Sequence, residues 1–184
     1  MTFFTGKGDK GTSSLFDSTQ GTRISKASLV FEALGQVDEL NSTIGWCKVA
    51  CEDFMVLDVP ARDVLHEVQD HLFTIQAELA GAGKHIAPTS IKAMGDIVES
   101  IEAILPEVKT FLVAGGTELS ARLDIARTVA RRAERHIVAL LESGERPVSE
   151  ATCTYLNRLS SLLYALIRLE NHASGVLEHA PDYS

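Results

Sequence analysis

Only three cysteines occur in 184 residues, an odd number that argues against a disulfide framework and suits a reducing compartment. Basic charge is also short. Seventeen Lys and Arg face 25 Asp and Glu, and the formal charge of −8 repels a nucleic-acid backbone unless the cations gather on one face. No apolar run approaches the roughly 20 residues that cross a bilayer. The opening Met1-Thr-Phe-Phe-Thr-Gly lacks the charged-then-apolar layout of a signal peptide. A cytoplasmic location is therefore expected, with neither nucleic acid nor membrane as partner. Internal repeats and low-complexity tracts are missing, and no alternating run long enough for a central strand follows the N-terminus.

What the chain has is apolar residues in steps of three and four. Ala33, Val37, Leu40, Ile44, Cys47 and Cys51 mark a first helix, and Leu65, Val68, Leu72, Ile75 and Leu79 a second. Ile91, Met94, Val98, Ile101 and Leu105 mark a shorter third. Leu119, Leu123, Ala126, Ala130, Ala133, Ile137 and Leu140 mark a fourth, whose alanines admit a close neighbour. Leu156, Leu159, Leu163 and Leu166 form the seam of a fifth. Pro60 opens the second helix, Thr89 is placed to cap the third, Gly115-Gly116-Thr117-Glu118 starts the fourth, Gly144 and Pro147 end it, and Ser149-Glu150 starts the fifth. Short connections between long helices predict an all-α, up-and-down five-helix bundle in a single domain covering 1–184. Residues 1–27 precede the bundle at 28–175, a tail follows at 176–184, and residues 106–116 link the third helix to the fourth.

Familiar catalytic patterns are wanting. Thr5-Gly6-Lys7-Gly8-Asp9-Lys10-Gly11-Thr12-Ser13-Ser14 has glycine-exposed amides, lysines and hydroxyls suited to phosphate. It is not a Walker A loop, because Thr12 stands where that motif requires Lys and too little chain precedes it for a strand. Alone, the segment is equally readable as an N-terminal tail. No serine or cysteine sits in a nucleophile elbow. Cys47 and Cys51, one helical turn apart, read as small buried side chains rather than half a metal site. The Glu-x-x-His pairs of a di-iron bundle are also lacking. Asp63 precedes His66 at that spacing and Glu67 precedes His71 by four, but no second helix supplies a matching set, so the histidines are expected at the surface or an interface.

Against the acidic background, Arg122, Arg127, Arg131, Arg132 and Arg135 crowd the fourth helix. Arg127, Arg131 and Glu134 follow the spacing of Ala126, Ala130 and Ala133, so they border the apolar seam. A solvated face of Glu–Arg pairs is one reading, worth a few tenths of a kcal/mol per pair. Recognition of phosphate by planar guanidinium groups is the other. Asp38 in Gln36-Val-Asp-Glu-Leu-Asn calls for a cation if buried, and Asn157 in Tyr155-Leu-Asn-Arg-Leu-Ser-Ser serves either helix register or a ligand. A bundle used only for assembly or partner binding would leave the arginines unexplained.

Taken together, Thr5-Gly-Lys-Gly-Asp-Lys-Gly-Thr-Ser-Ser-Leu-Phe, Gln36-Val-Asp-Glu-Leu-Asn-Ser, Ala126-Arg-Thr-Val-Ala-Arg-Arg-Ala-Glu-Arg and Tyr155-Leu-Asn-Arg-Leu-Ser resemble the PduO-type ATP:cob(I)alamin adenosyltransferases in order and spacing, over nearly the whole chain. The resemblance implies a homotrimer with ATP at subunit interfaces. It implies cobalamin bound without its lower axial ligand and reduced by a flavoprotein partner, with cobalt attacking the ribose 5′ carbon of ATP and expelling triphosphate. An adenosylcobalamin-dependent enzyme would be the acceptor of the product. Nucleotide contacts carry over to Thr5, Gly6, Lys7, Gly8, Ser13, Ser14, Lys26, Arg131, Arg132, Ala133, Glu134, Arg135 and Asn157, with Mg²⁺ bridging the phosphates. On the corrin side, Asp38 and Arg127 match a pair, and Phe111 matches the aromatic residue that keeps the lower ligand away. Arg131 would stabilise the leaving triphosphate. Gly6, Lys7 and Ser13 depart from the family's usual larger residue, Thr or Asn, and Thr.

Overall fold

The computed structural model describes residues 4–20 and 22–184. Gly21 and residues 1–3 lie outside the described residues. Five helices carry the fold: α1 (Leu29–Lys48), α2 (Ala61–Leu79), α3 (Pro88–Glu102), α4 (Glu118–Ser143) and α5 (Glu150–Ala173). Two short antiparallel pairs decorate them, β1 (Thr12–Ser13) with β2 (Ile24–Ser25) and β3 (Met55–Val56) with β4 (Val59–Pro60).

The bundle follows from the three-and-four spacing, because each helix turns one apolar stripe into a common core. Val37, Leu40 and Ile44 of α1, Leu72 and Ile75 of α2, Leu123 and Ile137 of α4, and Leu156 and Leu163 of α5 have no solvent exposure. Each such side chain contributes about 1.5–3 kcal/mol relative to an exposed position. Helix α1 lies between α2 and α4, α4 between α1 and α5, and α3 packs on α5. His71 of α2 meets the Tyr155 hydroxyl of α5 at 3.1 Å, closing α1, α2, α5 and α4 around the core. Ala126, Ala130 and Ala133 are wholly buried where α4 meets its neighbours, as small residues at a close helix crossing should be.

Helix ends account for the boundaries. Thr117 caps α4 in a reciprocal box with Ser120, and Gly144 ends it in the left-handed conformation at φ 68°. Ser149 caps α5, its hydroxyl accepting from Thr152 N–H. Three boundaries differ from the periodic reading. Helix α1 stops at Lys48, so Cys51 is buried in the following turn rather than in the helix. Leu105 falls beyond α3. Thr89 is inside α3, whose cap position is Ala87 with Pro88 first in the helix; proline's missing N–H costs nothing there and its fixed φ suits the first turn.

Carboxylates from elsewhere in the chain complete two helix starts. Glu145 accepts from the N–H groups of Leu29 and Val30, and buried Glu78 accepts from Ser149 N–H at 2.6 Å and from the Ser149 and Thr152 hydroxyls. Negative charge at a helix N-terminus satisfies free donors and opposes the helix dipole. Both contacts sit at the bundle end where the N-terminal segment docks. Leu15 is buried there, Phe16 N–H donates to the Ala80 carbonyl, and Asp17 pairs with Arg146 at 2.6 Å.

Candidate functional site

Along α4 the arginines separate into two kinds. Arg122 pairs with Glu118, donates to the Trp46 carbonyl and stacks over the Trp46 ring at 4.7 Å. Arg127 pairs with Asp124 at 2.8 Å, and Arg132 pairs with Glu39 and donates to Gln36 Oε1 at 2.6 Å. Arg131 and Arg135 are exposed, and among the described residues no carboxylate stands within ion-pair reach of either guanidinium. Arg135 donates to the Arg131 carbonyl one turn back, and the i,i+4 spacing puts both residues on one face of α4. Two exposed guanidinium groups with no carboxylate partner among the described residues, on a protein of charge −8, have the chemistry that suits a polyanion.

Beside them, α4 and α5 enclose an open groove of about 420 Å³ lined by Glu134, Val138, Cys153, Thr154, Asn157 and Arg158, with Ile137 and Leu156 as its floor. Asn157 Nδ2 donates to Glu134 Oε1 at 3.0 Å across the groove, so the two polar residues singled out on separate helices meet. Asn157 is exposed, which favours a ligand over a buried register device. Burial pushes the Cys153 thiol up, with Glu78 adding to the shift. Ala133, carried over as part of the nucleotide run, instead turns its methyl into the core at full burial and offers a ligand no side-chain contact.

The N-terminal segment is folded back on itself. Gly6 and Gly11 adopt φ of 68° and 73°, Asp9 N–H donates to the Gly6 carbonyl and Gly11 N–H to the Gly8 carbonyl. Lys26 N–H donates to the Gly11 carbonyl, and the Lys26 ammonium lies so close to Gly8 that a Cβ there would meet it at 3.0 Å. Thr5, Lys7 and Ser14 are exposed, and Ser13 is half-buried in β1. Gly8, Gly11 and Lys26 thus lie together. Among the described residues, however, no hydrogen bond or ion pair joins Thr5–Ser14 to Arg131, Arg132 or Arg135.

The corrin-side expectations need correction within the chain. Asp38 is exposed and accepts from Gln76 Nε2 at 3.3 Å, while Arg127 is held by Asp124, so Asp38 is neither buried nor paired with Arg127 here. The physical reason is helix geometry. Asp124 stands one turn before Arg127, a shorter reach than Asp38 on another helix. Phe111, 82% exposed, stands on the link between α3 and α4.

Some contributors escaped the sequence reading. Gln36 and Glu39 orient Arg132, and Arg146 with Asp17 anchors the N-terminal segment. The i,i+3 spacing of Asp124 and Arg127 and the i,i+4 spacing of Glu118 and Arg122 are local patterns, whereas Gln36, Glu39 and Asp17 reach their arginines from distant parts of the chain. Among the described residues no group of three His, Cys, Asp or Glu is placed to hold a metal. Cys47 and Cys51 are buried, their thiols pushed up to about 12 and about 11, chiefly by desolvation. No described helix is long and apolar enough to cross a membrane.

A family model described as cobalamin adenosyltransferase matches residues 3–170. The corrinoid adenosyltransferase PduO of Citrobacter freundii is 37% identical over 179 residues, 94% of this chain but 50% of that protein. The chain therefore spans half the length of that relative. The cobalamin adenosyltransferase of Cupriavidus metallidurans is 40% identical over 170 residues, 91% of this chain and 87% of its own. A solved structure of a single-residue variant of the PduO-type ATP:corrinoid adenosyltransferase from Lactobacillus reuteri, complexed with cobalamin and ATP, superposes with a TM-score of 0.89 at 28% identity, covering 100% of this chain and 98% of that one. Enzymes, not assembly modules, are what the chain is similar to.

Proposed function

The chain belongs to the cobalamin adenosyltransferase family, and from that premise we propose that it transfers the 5′-deoxyadenosyl group of ATP to cob(I)alamin, forming adenosylcobalamin and inorganic triphosphate. The carrying observation is the exposed Arg131–Arg135 pair, without a carboxylate partner among the described residues, beside the Glu134–Asn157 groove.

Cob(I) cobalt is the nucleophile; it forms the bond to the ribose 5′ carbon as the carbon–oxygen bond to the triphosphate breaks. No protein nucleophile is required. The chain's part is to align the reactants and to stabilise the charge that gathers on the departing triphosphate. Arg131 is assigned to that charge, with Arg135 and Arg132 alongside, while Asn157 and Glu134 position the nucleoside. The glycine-exposed amides of Thr5–Gly8, together with Lys7, Lys26, Ser13 and Ser14, are assigned to the outer phosphates. Mg²⁺ belongs with the phosphates rather than in a protein cage, in keeping with the ion's preference for phosphate oxygens, water and one or two carboxylates.

Because the loop does not reach the arginine face within one chain, a homotrimer in which one copy's loop meets the next copy's α4 is the assembly that completes the site. The same assembly would offer Asp38 and Arg127 to one corrin from neighbouring copies, with Phe111 against its lower face. A flavoprotein reductase supplying the cob(I) state and an adenosylcobalamin-dependent acceptor enzyme are the partners this chemistry requires, in the cytoplasm. The decisive test is incubation of purified protein with ATP, Mg²⁺ and chemically reduced cobalamin. A light-sensitive adenosylated product is expected, and its absence would overturn the assignment.

A further inference from the structure

The C-terminal tail is tied to the link that carries Phe111 by a network the catalytic reading leaves unused. Arg168 of α5 is almost wholly buried; its Nε donates to Glu178 Oε2 at 2.6 Å and its Nη2 to the Pro106 carbonyl at 3.2 Å. The other Glu178 oxygen accepts from Asn171 Nδ2 at 3.1 Å, and the same nitrogen donates to the Gly115 carbonyl at 3.3 Å. Val113 N–H donates to the His179 carbonyl at 2.9 Å.

These contacts hold the link at Pro106, Val113 and Gly115, between which residues 107–111 are exposed, with Phe111 two positions before the Val113 tie. The fit is close. Gly116 has φ 136°, and a Cβ there would meet Asn171 Oδ1 at 2.4 Å. That Oδ1 is buried without a hydrogen-bond partner, a cost retained while the amide nitrogen serves both Glu178 and Gly115. A buried guanidinium needs its carboxylate, so the Arg168–Glu178 pair binds the tail firmly to α5. An exposed phenyl on a tethered stretch has a defined place; on a free loop it would not.

We propose that Glu178, through Arg168 and Asn171, is a positioning residue that sets Phe111 for its work at the corrin's lower face. This rests on the reading of Phe111 given above. Its consequence is selective: the tie matters for a corrinoid that carries a tethered lower base and not for one from which that base has been removed.

Hydrogen exchange and steady-state kinetics on Glu178→Gln and Glu178→Ala test it. In both variants faster exchange confined to residues 106–117 and to the tail from Val176 onward is expected, including the Val113 amide, with protection in α1 to α5 retained. With cobalamin, kcat falls toward the ~10²-fold loss that a misplacement of about 1 Å can cause, while kcat on the base-free corrinoid and KM for ATP stay near those of the unmodified protein. Unchanged exchange in the link, or equal loss on both corrinoids, overturns the positioning role. Phe111→Ala in the same assay separates the two ideas. If it spares cobalamin turnover, the Phe111 reading falls and the positioning role with it; if it shows the cobalamin-specific loss and Glu178→Ala does not, the positioning role falls alone.

Discussion

At the scale of single residues, what distinguishes the arginines of α4 is the company they keep. Arg122, Arg127 and Arg132 are occupied by Glu118, Asp124 and Glu39, while Arg131 and Arg135 face solvent. Truncating an occupied arginine disturbs packing and an ion pair; truncating Arg131 removes charge from a ligand. Arg131→Ala is therefore expected to keep its helical circular dichroism while losing about 10²–10³ in kcat, the usual effect of deleting a charge-stabilising donor. Near-normal turnover would remove Arg131 from that role. Gly81 presents the opposite case, a residue that matters by what it lacks. At φ 86°, a Cβ would stand 2.3 Å from Asp17 Cγ and 2.5 Å from Arg146 Nη2. Gly81→Ala should cost about 1–3 kcal/mol of local strain and release the N-terminal segment. The readouts are faster tryptic cleavage at Lys10, Arg23 and Lys26 and a raised KM for ATP, with the melting transition of the bundle nearly preserved.

At the scale of elements, α5 depends on a carboxylate from α2. Buried Glu78 accepts three hydrogen bonds from Ser149 and Thr152 at the helix start, and His85 stands 3.4 Å away. Glu78→Ala leaves those donors without an acceptor, and hydrogen bonds to a charged group are each worth about 1.5–3 kcal/mol. Urea denaturation should show a stability loss of that order or larger with little change in slope. Helix periodicity was legible because burial of an apolar stripe dictates it: Leu123, Ala126, Ala130, Ala133 and Ile137 are all fully buried as their spacing requires. The caps at Thr117, Ser149 and Gly144 were legible too, since they depend on residues adjacent in sequence. Cys51 and Leu105 overran their helices because periodicity continues past the point where the backbone turns.

At the scale of the whole molecule, the separation of loop and arginine face within one chain predicts association. Light scattering should report three times the chain mass of 19.9 kDa. Mixing an inactive Arg131→Ala chain with one altered at Lys7 and Lys26 should restore activity if loop and arginine come from different copies, and no recovery in mixed trimers would place both in one chain. Alkaline pH tests the core. Cys47 and Cys51 are raised in the fold, chiefly by burial, so the folded state favours the neutral thiols. Their contribution is complete below the unfolded thiol range near pH 8.5 and is lost as pH rises toward about 11 to 12. Thermal melts should weaken across that window, and a Cys47→Ser, Cys51→Ser variant should show a shallower decline.

The sequence alone determined the five helices, their main caps, the basic face on an acidic chain and the glycine pattern of the N-terminal segment, because each depends on neighbours within a turn or two. It also carried the family resemblance, which requires only order and spacing. Tertiary structure decided which arginines are already paired, that Asn157 meets Glu134 across a groove, that Asp38 is exposed, and that Glu178 ties the tail to the link bearing Phe111. Ion pairs and hydrogen bonds act over about 3–4 Å, and which side chains come that close across separate helices depends on how the bundle packs, a property of the whole chain.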